Sequence, residues 1–250
     1  MAKRTCANPF RFGTDIWDPS HRFETSWLLP PWGLFACRAA ISLYAFVVIL
    51  FIIGWEAGNQ DGLSIHDVRK SFSFFTVLCY WGQAFYFAIA ALHTASYALN
   101  GGTPLLNRLP RPLQALHYLF YSTITTYPFL VTIVYWAILY GPFSTSFALW
   151  SNISQHGLNS AFALFELVFS RVNPAPWIHL LFLVIILCGY LGLAYVTYAT
   201  KHYYVYSFLD PRPRVEVNGV STGGVGKGAV VGYVFGIAIA IVVIFCVVKG

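Results

Sequence analysis

The sequence predicts an all-α fold, an integral membrane bundle of about six transmembrane helices, and three observations predict it. Hydrophobic residues make up 58% of the 250 and charged residues 10%, whereas a soluble domain carries about 25% charge. So few charges cannot clothe an aqueous surface of ordinary size, and mean hydropathy is high at +0.64. The apolar residues fall in long runs rather than in alternation, which is what a bilayer demands of a helix. The remaining charges sit where those runs end, as in Arg69 and Lys70, Arg108 and Arg111, and Arg212 and Arg214. That placement suits contact with membrane lipids. It argues against nucleic acid as a partner in spite of the net charge of +6. A chain of this length holds one helical membrane domain and leaves no room for a second globular one.

In chain order, residues 1–32 form a polar N-terminal tail with Lys3, Arg4, Arg11 and Arg22, ending in Leu29-Pro30-Pro31-Trp32. The prolines stop local helix, and Trp32 suits the interface. The tail lacks the apolar centre of a signal peptide, so the first helix is expected to act as its own insertion signal. The transmembrane domain occupies 33–250. Its first span is 33–54, with Arg38 about one turn inside and long enough to snorkel. A loop rich in Gly, Asp and Asn leads to the second span, 71–99, which Asn100-Gly101-Gly102-Thr103-Pro104 stops. The third span, 116–140, contains Pro128, a kink that membrane helices tolerate. The fourth is 147–169 and the fifth 177–199. A loop over 200–228 precedes the sixth, 229–248. Gly223-Gly224-Val-Gly226-Lys227-Gly228 in that loop looks like a phosphate loop at first sight. Ser221 at the first glycine position and Gly228 in place of Ser/Thr break the pattern, which leaves a flexible linker. A cytoplasmic N-terminus places eight Lys/Arg on its own side against six on the other, so N-in is favoured. Either an endomembrane or the plasma membrane fits.

The five cysteines form no CxxC pair and no metal-ligand spacing. Neither a disulfide framework nor a metal or other cofactor is expected. Polar groups inside apolar spans are the informative ones, because each costs free energy in lipid. The fourth span is richest in them. Its His156, Asn159, Ala163 and Glu166 recur at helical spacing and share one face, which should turn into the bundle. That face has two readings: a catalytic or transport surface, or interhelical hydrogen bonding that holds helices together. In the second span Thr76 has the same pair of readings, since a membrane Thr commonly returns its hydroxyl to a carbonyl of the preceding turn. Yet even-numbered spans run in the same direction, and Thr76 and His156 lie within about one turn of the same depth. A Thr hydroxyl needs a base to act as a nucleophile, and His is the usual base. His93, His117, His179 and His202 lie near span ends and read as interfacial residues. Asn152-Ile-Ser154 is a glycosylation sequon set too close to the membrane for easy access.

Four stretches carry a family resemblance: Phe74-Phe-Thr-Val; Thr126-Tyr-Pro-Phe-Leu-Val-Thr-Ile-Val-Tyr-Trp-Ala-Ile-Leu-Tyr140; Gln155-His-Gly-Leu-Asn-Ser160 with Phe165-Glu166; and Tyr204-Val-Tyr-Ser-Phe-Leu-Asp-Pro211. In this order, over roughly residues 70 to 211, the chain resembles the androgen-induced protein and androgen-dependent TFPI-regulating protein family, its fungal-type members especially. The resemblance implies a polytopic fold and, as in the animal members, hydrolysis of fatty acid esters of hydroxy fatty acids by an intramembrane Thr and His. The family's Thr matches Thr76. Its motif Asn-His-x-x-His-Thr matches with a departure: His156 falls on the first His, and Asn159 replaces the second, which the resemblance would make catalytic. Asn is no general base at neutral pH, so the expectation is Thr76 as nucleophile and His156 as base. Asn159 would then orient the imidazole or donate to the oxyanion, and Glu166 would support the face from two turns away. The substrate would be a lipid ester reached sideways from the bilayer. The alternative is a non-enzymatic membrane protein, a small-molecule transporter or an interaction protein, whose polar face is structural or a permeation path.

Overall fold

The computed structural model describes residues 17–58, 60–217 and 220–250. Nine α-helices are present among them: α1 Pro31–Ala57, α2 Ile65–Ser71, α3 Phe75–Leu99, α4 Leu105–Arg108, α5 Arg111–Val134, α6 Ser146–Ile153, α7 Asn159–Phe169, α8 Trp177–Lys201 and α9 Lys227–Lys249. A π turn, Tyr135–Leu139, extends α5, and a second, Ser154–Leu158, joins α6 to α7. Five of these helical runs are long and apolar enough to cross a membrane: α1, α3, α5 with its π turn, α8 and α9. The protein is a multi-pass membrane protein with an all-α bundle.

The fourth predicted span is also present, as the continuous run Ser146–Phe169 broken by its π turn. It lies antiparallel to α1 along the full height of that helix. At one end Phe147 stacks on Trp55 with centroids 4.9 Å apart. At the other, Trp27 N–H donates to the Phe169 carbonyl, and Ser26 bridges Ser170. Its polar residues are what separate it from the five apolar runs.

The second span starts at Phe75 rather than at Ser71. Ser64 and Asp67 form a capping box that starts the short helix α2, and the chain then breaks at Phe74 (φ −86°, ψ 132°) before α3 begins. The third starts earlier than its apolar run suggests, at Arg111, with Pro110 as the cap residue and another proline in the first turn. Proline fits there because its missing N–H would have no helical partner anyway. The loop expected to be a flexible linker is shaped. A 3₁₀ turn at Ser207–Leu209 precedes a two-stranded hairpin, β1 Arg214–Val217 with β2 Val220–Gly223.

Apolar burial does not separate helix contacts from lipid contacts, so close packing must hold the bundle. The closest pair is α1 and α3. Leu34, Ser42, Ala45 and Val48 of α1 face Tyr80, Ala84, Phe87 and Ala91 of α3, all buried. Small residues let the backbones approach until Ser42 Oγ donates to the Ala84 carbonyl at 3.0 Å. The N-terminal segment ahead of α1 belongs to the same core. Phe23 is buried among His117, Tyr118 and Tyr121 of α5, at centroid distances of 5.3, 5.3 and 6.1 Å.

Candidate active site

Thr76 stands second in α3, just after the chain leaves the extended Phe74. The residues one turn back are therefore outside the helix, and the back-bond open to a mid-helix Thr is not made. The Thr76 side chain instead lines a cavity together with the Tyr206 phenol. The amide of Phe75, one of the orphan donors of a helix start, is shared between two phenols. It donates to Tyr190 Oη at 3.1 Å and to Tyr206 Oη at 3.0 Å. Tyr190 in turn donates to the Ser73 carbonyl at 2.8 Å. Burial holds the Tyr206 phenol above its ordinary range, so it is a protonated donor. Neither tyrosine stands out in the sequence. Tyr206 lies within Tyr204–Pro211, but only the fold shows that this stretch returns to the start of α3.

These hydroxyls line a cavity of about 110 Å³ between α3, α5, α8, α9 and the 3₁₀ turn. Its other walls are apolar, among them Leu130, Val134, Leu187, Leu191, Phe208 and Ile237. A second and larger hollow, about 460 Å³, opens between α3, α5 and α8, where Gly82 and Gly189 contribute no side chain. Phe75 and Tyr190 wall both spaces. The Phe75 ring meets Tyr127 at 5.1 Å and Tyr190 at 4.8 Å.

His156 lies in the π turn before α7. Its ring stacks on Tyr135, with centroids 3.6 Å apart and planes within 3°. Its carbonyl, released from regular helix bonding, accepts from Thr132 Oγ1 at 2.7 Å and Trp136 Nε1 at 3.2 Å. Its Nδ1 is buried without a hydrogen-bond partner, as are Asn159 Oδ1, Gln83 Oε1 and the Tyr80 hydroxyl. Gln83 Nε2 donates to the Asn159 carbonyl at 2.8 Å, which fixes the register of α3 against α7. In that register His156 is level with Tyr80. It lies one turn deeper than Thr76, about 6 Å along the axis at 1.5 Å per residue. No hydrogen bond joins Thr76 to His156. Tyr135 is what they share, since one residue both carries the stacked imidazole and walls the Thr76 cavity.

The predicted stripe does face inward: His156, Asn159, Ala163 and Glu166 are all buried. Its far end has a partner that the sequence does not suggest. Glu166 is paired with Arg38, which turns into the bundle instead of snorkelling. Arg38 Nε donates to Glu166 Oε2 at 3.0 Å, and Arg38 Nη2 donates to Oε1. Arg38 Nη1 also donates to the Phe23 carbonyl at 2.7 Å and to Thr94 Oγ1 at 2.6 Å. The Tyr86 hydroxyl donates to Glu166 Oε1 at 3.1 Å. Every charge is met, which is the condition for a buried ion pair. Glu166 is thus committed to helix packing and does not reach His156. Three of the histidines read as interfacial are also buried. Ser122 Oγ lies 2.7 Å from His179 Nδ1, and the rings of His93 and His117 meet edge to face at 5.0 Å.

Comparison with family models, with curated proteins and with solved structures returns no match.

Proposed function

We propose that the protein is a membrane-embedded hydrolase of lipid esters, with Thr76 as nucleophile. The observation that carries this reading is the threonine hydroxyl of Thr76, at the first turn of a transmembrane helix, lining a largely apolar cavity beside the Tyr206 phenol. In the reaction the Thr76 oxygen bonds to the ester carbonyl carbon, and its proton passes to a base. The carbonyl becomes an oxyanion next to the Tyr206 O–H and the helix start, where positive potential favours it. The C–O ester bond then breaks, and the alcohol leaves with the proton. Water cleaves the resulting acyl-threonine, releasing a fatty acid and restoring the hydroxyl. His156 is the base in this scheme, with its unpartnered Nδ1 available once the Tyr135 ring turns aside. Asn159 holds the register of the turn that carries it. The resemblance to the androgen-induced protein family points to the same chemistry and to fatty acid esters as substrates.

The alternative is a lipid-binding protein without turnover. The observation favouring it is the Tyr135 ring, which stacks flat on the imidazole with no Thr76–His156 hydrogen bond. Purified protein in detergent, assayed for fatty acid release and for labelling by a fluorophosphonate-type probe, separates the two. The hydrolase reading expects release that Thr76→Ala abolishes and Thr76→Ser preserves, with Tyr206→Phe lowering turnover by about 10²–10³, the usual loss for one oxyanion donor. Unchanged release by Thr76→Ala defeats the assignment. Absence of both release and labelling from folded wild type leaves the binding reading.

A further inference from the structure

The Thr76 cavity is partly open, yet it is closed at both ends along the helix axis. Phe208 and Leu209 of the 3₁₀ turn, both buried, roof it. Its floor lies one helical turn beyond Leu187 of α8 and Ile237 of α9, the wall residues nearest that end. There stand Leu183 and Ile241, on the same helix faces and both 0% exposed. They pack in one apolar cluster with Leu130, Val131 and Phe245. Tyr127 Oη donates to the Leu183 carbonyl at 2.7 Å, which ties α5 to α8 at the same level. The space between roof and floor is about 110 Å³. An apolar cavity of about 150 Å³ holds benzene, a ring of six carbons. By that measure the Thr76 cavity holds about four or five carbons. No charged side chain lines it, so the group it takes is hydrocarbon. Thr76 is 9% exposed and lines this space, so a guest there reaches the hydroxyl.

We propose that the Thr76 cavity is an acyl subsite that selects esters with a short acyl arm, about four or five carbons long, and that Leu183 and Ile241 are the stop that sets this length. The proposal rests on the hydrolase reading above and names its substrate class. The order of departure assigns the arm. Acylation joins the acyl carbon to Thr76 Oγ1 and breaks the ester C–O bond, and the alcohol leaves with the proton. Water then adds to the acyl-threonine, and the carboxylic acid leaves last. An alcohol lodged in the blind end would be trapped behind the acyl-threonine and would keep water out. The acyl arm therefore takes the blind end, and the alcohol lies on the open side, where nothing limits its length.

The test is hydrolysis, by the whole protein in detergent, of para-nitrophenyl acetate, butyrate, hexanoate and dodecanoate, which share one alcohol arm. In wild type kcat/KM should peak at butyrate and fall at least about tenfold by dodecanoate, since a methylene too many in an apolar pocket already costs roughly that much. Ala238 lines the cavity from α9, so Ala238→Leu fills it and should lower kcat/KM for butyrate relative to acetate about tenfold or more. Ile241→Ala lowers the floor and should move the optimum to hexanoate. Ile241→Val, which removes one methyl group, should do so more weakly and serves if the alanine variant does not fold. Comparing variant with wild type on the same ester cancels that ester's partition into detergent. A wild-type preference for dodecanoate, or an unchanged chain-length profile in Ala238→Leu, overturns the subsite. Thermal unfolding of Thr76→Ala with the same esters reads the subsite without turnover. Butyrate should raise the melting temperature and dodecanoate should not, and adding Ala238→Leu should remove the butyrate shift. That shift without turnover by wild type defeats the hydrolase reading alone, whereas turnover with no such shift defeats the subsite alone.

Discussion

At the scale of single residues, the bundle places polar groups where lipid cannot reach them, and Glu24 is the most exposed to pH. It is buried in the segment ahead of α1, and neither carboxyl oxygen has a hydrogen-bond partner. Burial, and secondarily the charge of Asp18, push its pKa up to about 8 from the ordinary 4.5, against a lowering by Arg38. The folded state therefore holds a proton that the unfolded chain loses near pH 4.5. Between roughly pH 4.5 and 8 the folded protein binds more protons, so stability falls as pH rises. The loss is on the order of 3 kcal/mol by pH 7, at about 1.4 kcal/mol per unit. Glu24→Gln, which is neutral throughout, should raise the melting temperature at pH 7–8 and flatten its dependence on pH across that window. Thermal unfolding in detergent from pH 5 to 8 measures this, and an unchanged slope in the variant would contradict it. The sequence showed Arg38 as a charge within a span but not its partners. Its hydrogen bonds reach Phe23, Thr94 and Glu166, 15, 56 and 128 residues away, and no local pattern encodes contacts so distant.

At the scale of elements, the loop after α8 is held shut against the cavity by a close backbone approach. Arg212 clamps the Asp210 carboxylate, with Nε 3.0 Å from both oxygens, and these hydrogen bonds keep that carboxyl below its ordinary range. Gly224 passes so near that a Cβ there would lie 2.3 Å from the Asp210 carbonyl oxygen. Backbone cannot yield as a flexible side-chain tip can, so Gly224→Ala must push the hairpin away at a cost of about 1–3 kcal/mol. Trypsin should then cut after Arg214 several-fold faster in Gly224→Ala than in wild type, as gel densitometry would show. Equal rates would mean that the hairpin is not held at this point. The long helices were legible, because long apolar runs and the Asn100–Pro104 stop are strong signals, whereas the short helix α2 fell in a stretch that reads as loop. The breaks were less so. The start of α3 depends on phenols from Tyr190 and Tyr206, distant in sequence, and the π turns show no composition that distinguishes them from ordinary helix.

For the whole molecule, contacts at the helix ends fix the path of the chain. Ser26, Ser170, Ala175 and Lys249 meet at one end, while Trp55 and Phe147 meet at the other. The N-terminal segment and the end of α9 therefore emerge on one side, and the hairpin after α8 on the opposite side. Reporter tags at the two termini should show the same accessibility in intact membranes, and a tag inserted in the 214–223 hairpin the reverse. Opposite accessibility of the termini would refute the six-crossing path. The inward polar face of the fourth span was readable from spacing alone. The meeting of Thr76 with Tyr206 was not, because it depends on which helices become neighbours.

The hollow flanked by Gly82 and Gly189 has a mechanical consequence. A hydrocarbon tail can lie in that trough without prising α3 from α8, since the missing side chains have already made room. Phe75 and Tyr190 wall both the trough and the Thr76 cavity. Turning those two aromatic rings is a local motion that would join the two spaces without parting transmembrane helices.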